Sequence, residues 1–294
     1  MRFTIKPCAH GDAEYIWERD QAEAGSAETC ANGAEELLVF KVEAESGIIG
    51  GCVLSIDLSG TAEFNSLWVD EGFRRRGIGS AIALEAERAA RARDCRMMIN
   101  AYNFDFQFAR PMFEKLGYRL IGTAKDWPMG HECYTLIKPL DGSDEGFAHS
   151  LSPAPVLCAD AELKLRRGTE EDGSFITARL SEFNSGFAPR THPYIDLDKK
   201  IIDENDSVIG GCIAGVSGWD AAHIDLVFVD ARFRGLGLEA ELICEIEREA
   251  RELGAYVART NAIEAQSELF TALGYEVIAV YEGAPRWFVM HKKL

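Results

Sequence analysis

One run in the first half of the chain has the residue types of an anion-binding turn: Leu67-Trp68-Val69-Asp70-Glu71-Gly72-Phe73-Arg74-Arg75-Arg76-Gly77-Ile78-Gly79-Ser80. An apolar, strand-prone stretch ends at Val69. A glycine-bearing turn follows, and Ser80 leads into helix-forming Ala81-Ile82-Ala83-Leu84-Glu85-Ala86-Glu87. Strand, turn and helix in that order aim several backbone N–H groups at one point. The helix dipole adds partial positive charge there, which suits a phosphate or pyrophosphate. Gly77 and Gly79 keep Cβ atoms out of the anion's path, and Arg74, Arg75 and Arg76 surround it with positive charge.

The pattern Val69 followed by Arg74-x-x-Gly77-x-Gly79 at the mouth of a helix resembles the acetyl-coenzyme A motif of the GNAT superfamily of N-acetyltransferases, whose loop reads Gln/Arg-x-x-Gly-x-Gly/Ala. The resemblance implies that acetyl-CoA is the cofactor. It implies that Arg74, Arg75, Arg76, Gly77, Ile78, Gly79 and Ser80 hold the diphosphate. The backbone at Leu67, Trp68 and Val69 would then hydrogen-bond the pantetheine arm like an extra strand, with the Val69 amide as the oxyanion donor.

Acetyl transfer to an amine needs a base, because an alkylamine is mostly protonated at neutral pH. Glu63 is the candidate, six residues before Val69 and expected on the same strand face; family members often place a carboxylate on this strand. A solvated strand glutamate is the plainer alternative. For the general acid the chain departs from the family, whose tyrosine stands directly before Glu-Lys in the helix preceding Leu-Gly-Tyr. Here that position is Phe113, and Phe270 in the second half, and a phenylalanine donates no proton. Tyr134 and Tyr102 are substitutes. His131, after Pro128-Met129-Gly130, belongs at a turn near the acceptor cleft as a substrate contact or proton carrier. Asp105, Asp126 and Glu132 would make that cleft acidic. The run Tyr102-Asn103-Phe104-Asp105-Phe106-Gln107-Phe108 reads either as a pocket wall or as core. Glu63, Tyr134 and His131 are therefore the candidate catalytic residues, and no His, Cys or Asp spacing suggests a metal.

These residues need a scaffold. Phe3 to Ile5 reads as a strand, Ala13 to Glu18 as helical, and Leu37 to Val42 with Ile48 to Leu54 as a hairpin turning at Glu45-Ser46-Gly47. Ala62 to Val69 is the strand that feeds the loop. The helix after it runs to about Arg93, with Ile78, Ile82, Ala86 and Ala90 on one face. Met97 to Ile99 is a buried strand, Pro111 to Leu116 a short helix stopped by Gly117, and Tyr118 to Ile121 and Cys133 to Ile137 are closing strands.

The pattern then recurs. Ile209-Gly210-Gly211-Cys212 repeats Ile49-Gly50-Gly51-Cys52 160 positions on, as Val229-Asp230 and Phe233-Arg234 repeat Val69-Asp70 and Phe73-Arg74. Leu273-Gly274-Tyr275 matches Leu116-Gly117-Tyr118 at a shift three residues smaller. This is an internal duplication. Asp141 to Gly146 and Ser152 to Pro155 have linker composition. The expected domains are 1–140, a linker at 141–160, and 161–294. The expected fold is α/β, two tandem GNAT-type domains, each a mixed, mostly antiparallel sheet flanked by helices.

The copies are not equivalent. In register, the second loop is Arg234-Gly235-Leu236-Gly237-Leu238-Glu239, with Glu239 at the place of Gly79. A carboxylate about 4 Å from a phosphate oxygen, at an effective dielectric near 20, repels it by on the order of 4 kcal/mol per unit charge. Copy one is expected to bind the cofactor, and copy two to serve as its structural partner, a pseudo-dimer within one chain, whether the protein is a monomer or a homodimer.

Composition sets the outer limits. The net charge of −17 over 294 residues argues against nucleic acid or an anionic membrane as partner. No apolar run approaches the roughly 18 residues of a membrane span, and the start of the chain has no signal-peptide pattern, so a cytoplasmic protein is expected. The eight cysteines show no Cys-x-x-Cys pair and read as buried thiols. The leading reading is an acetyl-CoA-dependent N-acetyltransferase that transfers acetyl directly to a primary amine of a small molecule in a ternary complex. The alternative is a CoA-binding sensor with lost catalysis. An ATP site is disfavoured, because the loop lacks the Gly-Lys-Ser/Thr ending of a P-loop.

Overall fold

The computed structural model describes residues 3–24, 36–57, 60–125, 127–140, 163–281 and 286–294. The expected linker at 141–160, Asp126, and Cys30 and Cys158 lie outside the described residues. The chain divides into two compact units. Gly33–Ala188 forms a central unit; Met1–Asn32 joins Pro189–Leu294 in a terminal unit built from both ends of the chain.

In chain order the first copy supplies β1 (Thr4–Pro7), α1 (Asp12–Ala24), β2 (Glu36–Ala44), β3 (Gly47–Ile56), β4 (Thr61–Val69) and α2 (Ile78–Arg91). It ends with β5 (Met97–Phe104), α3 (Arg110–Lys115), β6 (Arg119–Ala124) and β7 (Cys133–Pro139). The second copy supplies β8 (Lys164–Arg167), α4 (Glu170–Ser185), β9 (Ile195–Asp196), β10 (Lys199–Ile202), β11 (Val208–Ser217) and β12 (Ala221–Val229). It closes with α5 (Leu238–Glu252), β13 (Val257–Ile263), α6 (Glu264–Ala272), β14 (Glu276–Tyr281) and β15 (Trp287–Lys293).

The central unit's sheet runs β6-β7-β5-β4-β3-β2-β8. Its strands are antiparallel neighbours except β4 and β5, which are parallel. The terminal unit's sheet runs β1-β10-β11-β12-β13-β15-β14, with β9 on β11, and its one parallel pair is β12 with β13. Both are α/β, mixed and mostly antiparallel, as the sequence led us to expect.

The strand that opens each sequence copy is not in its own copy's sheet. β1 pairs with β10, while β8 pairs with β2. The helices follow their strands: α4 covers the central sheet through Ile176, which clusters with Val39, Val53 and Trp68. α1 covers the terminal sheet through Ile16, against Leu226 and Phe228. The copies have exchanged their first strand and helix, so the folded units differ from the sequence blocks 1–140 and 161–294. On the opposite face of the central sheet, Ile78, Ile82, Ala83, Ala86 and Ala90 of α2 pack on Leu54, Phe64, Met98 and Leu136. No helix among the described residues is long and apolar enough to cross a membrane. The described cysteines are free thiols, buried except for half-buried Cys8 and exposed Cys244.

Candidate functional site

β4 and β5 pair in parallel only at Thr61 with Met97, Ala62 with Met98 and Glu63 with Ile99. Both strands continue well beyond that point, so they part and leave a wedge-shaped gap. Asp70 N–H donates to Ile49 O at 2.8 Å. By antiparallel alternation, the amides of Val69 and Leu67 then point away from β3 and into the gap. Trp68 turns its backbone to β3 and buries its ring against Ile176, with Phe175 edge-on and the Arg179 guanidinium over it. Of the three residues expected to meet the pantetheine arm, Leu67 and Val69 turn their backbone N–H groups toward the gap and Trp68 does not.

Glu63 sits where the strands part. The expectation that it shares a face with Val69 is overturned by a bulge: Ser66 pairs with Val53 but Phe64 with Leu54, which leaves Asn65 as an extra residue. One inserted residue reverses the alternation beyond it. Ala62 and Phe64 face α2 before the bulge, and Leu67 and Val69 do so after it. Glu63 therefore belongs to the α4 face, as does Ser66, whose Oγ lies 3.2 Å from Thr177 Oγ1. Removal from water, helped by the Asp57 carboxylate, raises the pKa of half-buried Glu63 to about 7. A general base works best near that value at neutral pH.

The turn after β4 is tied down by its own side chains. Asp70 accepts from Gly72 N–H at 3.0 Å, Arg74 Nε donates to Val69 O at 2.9 Å, and Arg76 donates to Gly72 O at 3.1 Å. Gly77, with φ +81°, starts α2 without a side-chain cap, and the first turn of α2 carries no acidic residue. The first-turn amides at Ile78, Gly79 and Ser80, with the positive end of the dipole, face outward. A Cβ on Gly79 would stand 3.0 Å from Met112 Sδ and 3.8 Å from Val69 Cγ2, so the glycine lets the start of α2 pack closely on α3 and the end of β4. This uncapped, acid-free helix start fits a diphosphate.

The terminal unit repeats the turn without the acid-free helix start. Gly237 (φ +82°) matches Gly77, Gly235 (φ +76°) matches Arg75 (φ +62°), and Arg234 Nε donates to Val229 O at 2.9 Å. That agreement puts Glu239 at the position of Gly79. The first turn of α5 carries Glu239 and Glu241, which satisfy the dipole from within the chain. At Glu63's position stands His223, which burial and the Arg259 charge lower to about 4 and so hold neutral. The bulge residue there is Asp225, raised to about 6 by burial and then by Asp198.

In the central unit, α4 bridges the mouth of the gap. The Arg74 guanidinium lies 4.4 Å over the Phe183 ring, just past the end of β4. Gln107 Nε2 donates to Asn184 Oδ1 at 3.0 Å, just past the end of β5. His131 is on this side: its Nδ1 lies 2.9 Å from Asp105 Oδ1 and its ring makes a T-shaped contact with Phe106 at 4.8 Å. Asp105 thus fixes the orientation of the imidazole. Tyr134 is on the opposite face, since it alternates with Leu136 and Lys138, which face α2. Its hydroxyl donates to Glu132 at 2.8 Å under the Arg110 guanidinium, and burial and then Glu132 raise its pKa. Tyr102, at φ +56° in a β5 bulge, packs on Trp127. Phe113 is core, wedged between Phe64 and Tyr118. Among the described residues no group of His, Cys, Asp or Glu could hold a metal ion.

Sequence reasoning missed Phe183, Asn184 and Phe187. The Thr169-x-x-Asp172 capping box that starts α4 was readable; the sheet that α4 would cover was not.

The model of the acetyltransferase (GNAT) family matches residues 6–118 and 165–275. The chain belongs to this family. GNAT enzymes use acetyl-CoA, which is the cofactor of this chain as well. The two matches follow the sequence copies and cut across the compact units. Blasticidin-S acetyltransferase of Streptomyces morookaense is 36% identical over 74 residues, 25% of this chain and 54% of that protein. The chain thus spans about half the length of that curated relative. Among solved structures, an acetyltransferase from Bacillus cereus is 24% identical over 44% of this chain and 96% of its own, with TM-score 0.42. The ribosomal-protein-S18-alanine N-acetyltransferase of Escherichia coli is 15% identical over 50% of this chain and 99% of its own, with TM-score 0.34.

Proposed function

We propose that the central unit is an acetyl-CoA-dependent N-acetyltransferase that acts on the primary amine of a small molecule, and that the terminal unit binds no cofactor. The observation that carries this reading is the uncapped, acid-free first turn of α2 beside strands that part at Glu63. Bound acetyl-CoA supplies the thioester acetyl group. Ile78, Gly79 and Ser80 would hold the diphosphate through backbone N–H groups, with Arg75 and Arg76 adding charge. Arg74, tied to Val69 O as Arg234 is to Val229 O, holds the shape of the turn. Leu67 and Val69 would align the arm through their backbone, and the Val69 N–H would bind developing negative charge.

Glu63 takes the proton of the incoming ammonium group. At pH 7 about half of it is ionised, so it can accept that proton and release it to water. The His131–Asp105 pair stands on the same face as a second acceptor or a substrate contact. Phe113 has no proton to give, so the leaving thiolate would take the amide nitrogen's remaining excess proton by way of water.

The core position of Phe113 also favours the sensor reading. Incubation with acetyl-CoA and a panel of amines separates the two by release of free thiol. Amine-dependent release supports transfer; tight acetyl-CoA binding with no release on any amine supports the sensor. A Blasticidin-S-like amine belongs in the panel on the strength of the relative's name.

A further inference from the structure

The acceptor's body is legible on the α4 side of the gap. Aromatic contacts run unbroken from the cofactor turn to the histidine. Arg74 lies over Phe183; Phe183 meets Phe187 at 5.2 Å; Phe187 stacks on Phe106 at 5.3 Å and 5°; and Phe106 meets His131 at 4.8 Å. Phe187 is 45% exposed and Phe108 69% exposed, and their rings stand 6.5 Å apart at 78°. Two open rings at nearly a right angle form a corner at the end of a stack. Such a corner binds another flat ring by offset stacking on one wall and an edge contact on the other. The Asp105 carboxylate on this side is already engaged with His131. A single ammonium group suits the carboxyl of Glu63 on the same face.

Resting on the transferase reading above, we propose that the acceptor is an arylalkylamine-type compound, one amine on a planar aromatic body. Phe187 and Phe108 hold its ring, and its amine enters the gap on the face that carries Glu63. Phe187 comes from the second sequence copy, so that copy sets the acceptor specificity of a site whose cofactor turn lies in the first.

The test uses the full chain with acetyl-CoA, thiol release as readout, and phenethylamine and tryptamine set against propylamine and spermidine. The aryl amines should exceed the others in kcat/KM by about tenfold or more. Phe187→Ala should raise the KM for phenethylamine about tenfold while the KM for acetyl-CoA stays within about twofold, and Phe187→Tyr should restore it. Phe108→Ala, at a more exposed position, should raise the same KM. Equal or better use of propylamine or spermidine, or an unchanged phenethylamine KM in both alanine variants, overturns the proposal but leaves the transferase reading standing. No thiol from any amine, with acetyl-CoA bound, overturns both.

Discussion

Ile176 of α4 presses its Cδ1 onto Gly51 of β3 so closely that a Cβ on that glycine would collide with it. The other exchanged helix repeats the contact 160 positions away, where Ile16 of α1 meets Gly211 of β11 in the same manner. Each pair joins a helix from one sequence copy to a strand from the other. The glycine makes room for a helix that its own copy does not supply.

The exchange predicts where the chain can be cut. Residues 33–188 carry the whole central sheet and should unfold cooperatively in urea and bind coenzyme A. Residues 1–140 lack β8 and α4, which bares the edge of β2 and the Val39–Val53–Trp68 surface, and should do neither. Within the full chain, Ile176→Ala should cost the central unit about 2–5 kcal/mol of stability by denaturant titration.

The two helix starts predict opposite responses to mutation. Gly79→Glu puts a carboxylate against the diphosphate, with its Cβ toward Met112, and should abolish acetyl-CoA binding. Glu239→Ala should leave binding unchanged or raise it. Calorimetry on both variants checks the pair, and equal losses would sink the one-site reading.

Glu63 predicts the pH profile. Its pKa is raised from the ordinary 4.5 to about 7, and it acts as a base when ionised. kcat/KM should therefore rise with pH through about 7 and then level off, and Glu63→Gln should lower activity and remove that limb. The stability sign is the reverse. A carboxyl whose pKa is raised on folding favours the folded state at low pH, and that advantage is lost as pH rises through about 7. Glu63→Gln should thus stabilise the protein above pH 7 relative to the native chain, as thermal unfolding at pH 6 and 8 would show.

A lysine–glutamate pair with a buried carboxylate recurs in both units. Lys138 Nζ lies 2.6 Å from Glu87, and Lys292 Nζ lies 2.7 Å from Glu247. Removing one partner strands a buried charge. Lys138→Met should cost about 3 kcal/mol by denaturant titration, at the low end of such losses because Arg91 still reaches Glu87.

The strands and α2 were readable because alternation and 3.6-residue periodicity survive in the sequence, and the turn before α2 because Gly77 and Gly79 mark the mouth of the helix. The bulge at Asn65 was not readable. An extra residue in a strand changes no composition, yet it moved Glu63 to the face opposite Val69. The exchange was equally silent, because each copy opens with a strand and a helix and nothing in their local sequence says which sheet they join. Asp105 and His131 could each be singled out, but a pairing across 26 residues is made by the tertiary fold alone.

Calorimetric titration of the full chain with coenzyme A is the most direct test of a single cofactor site at α2. One molecule bound per chain, lost in Gly79→Glu, is the expected result. Two equivalent molecules per chain, or none, would contradict it.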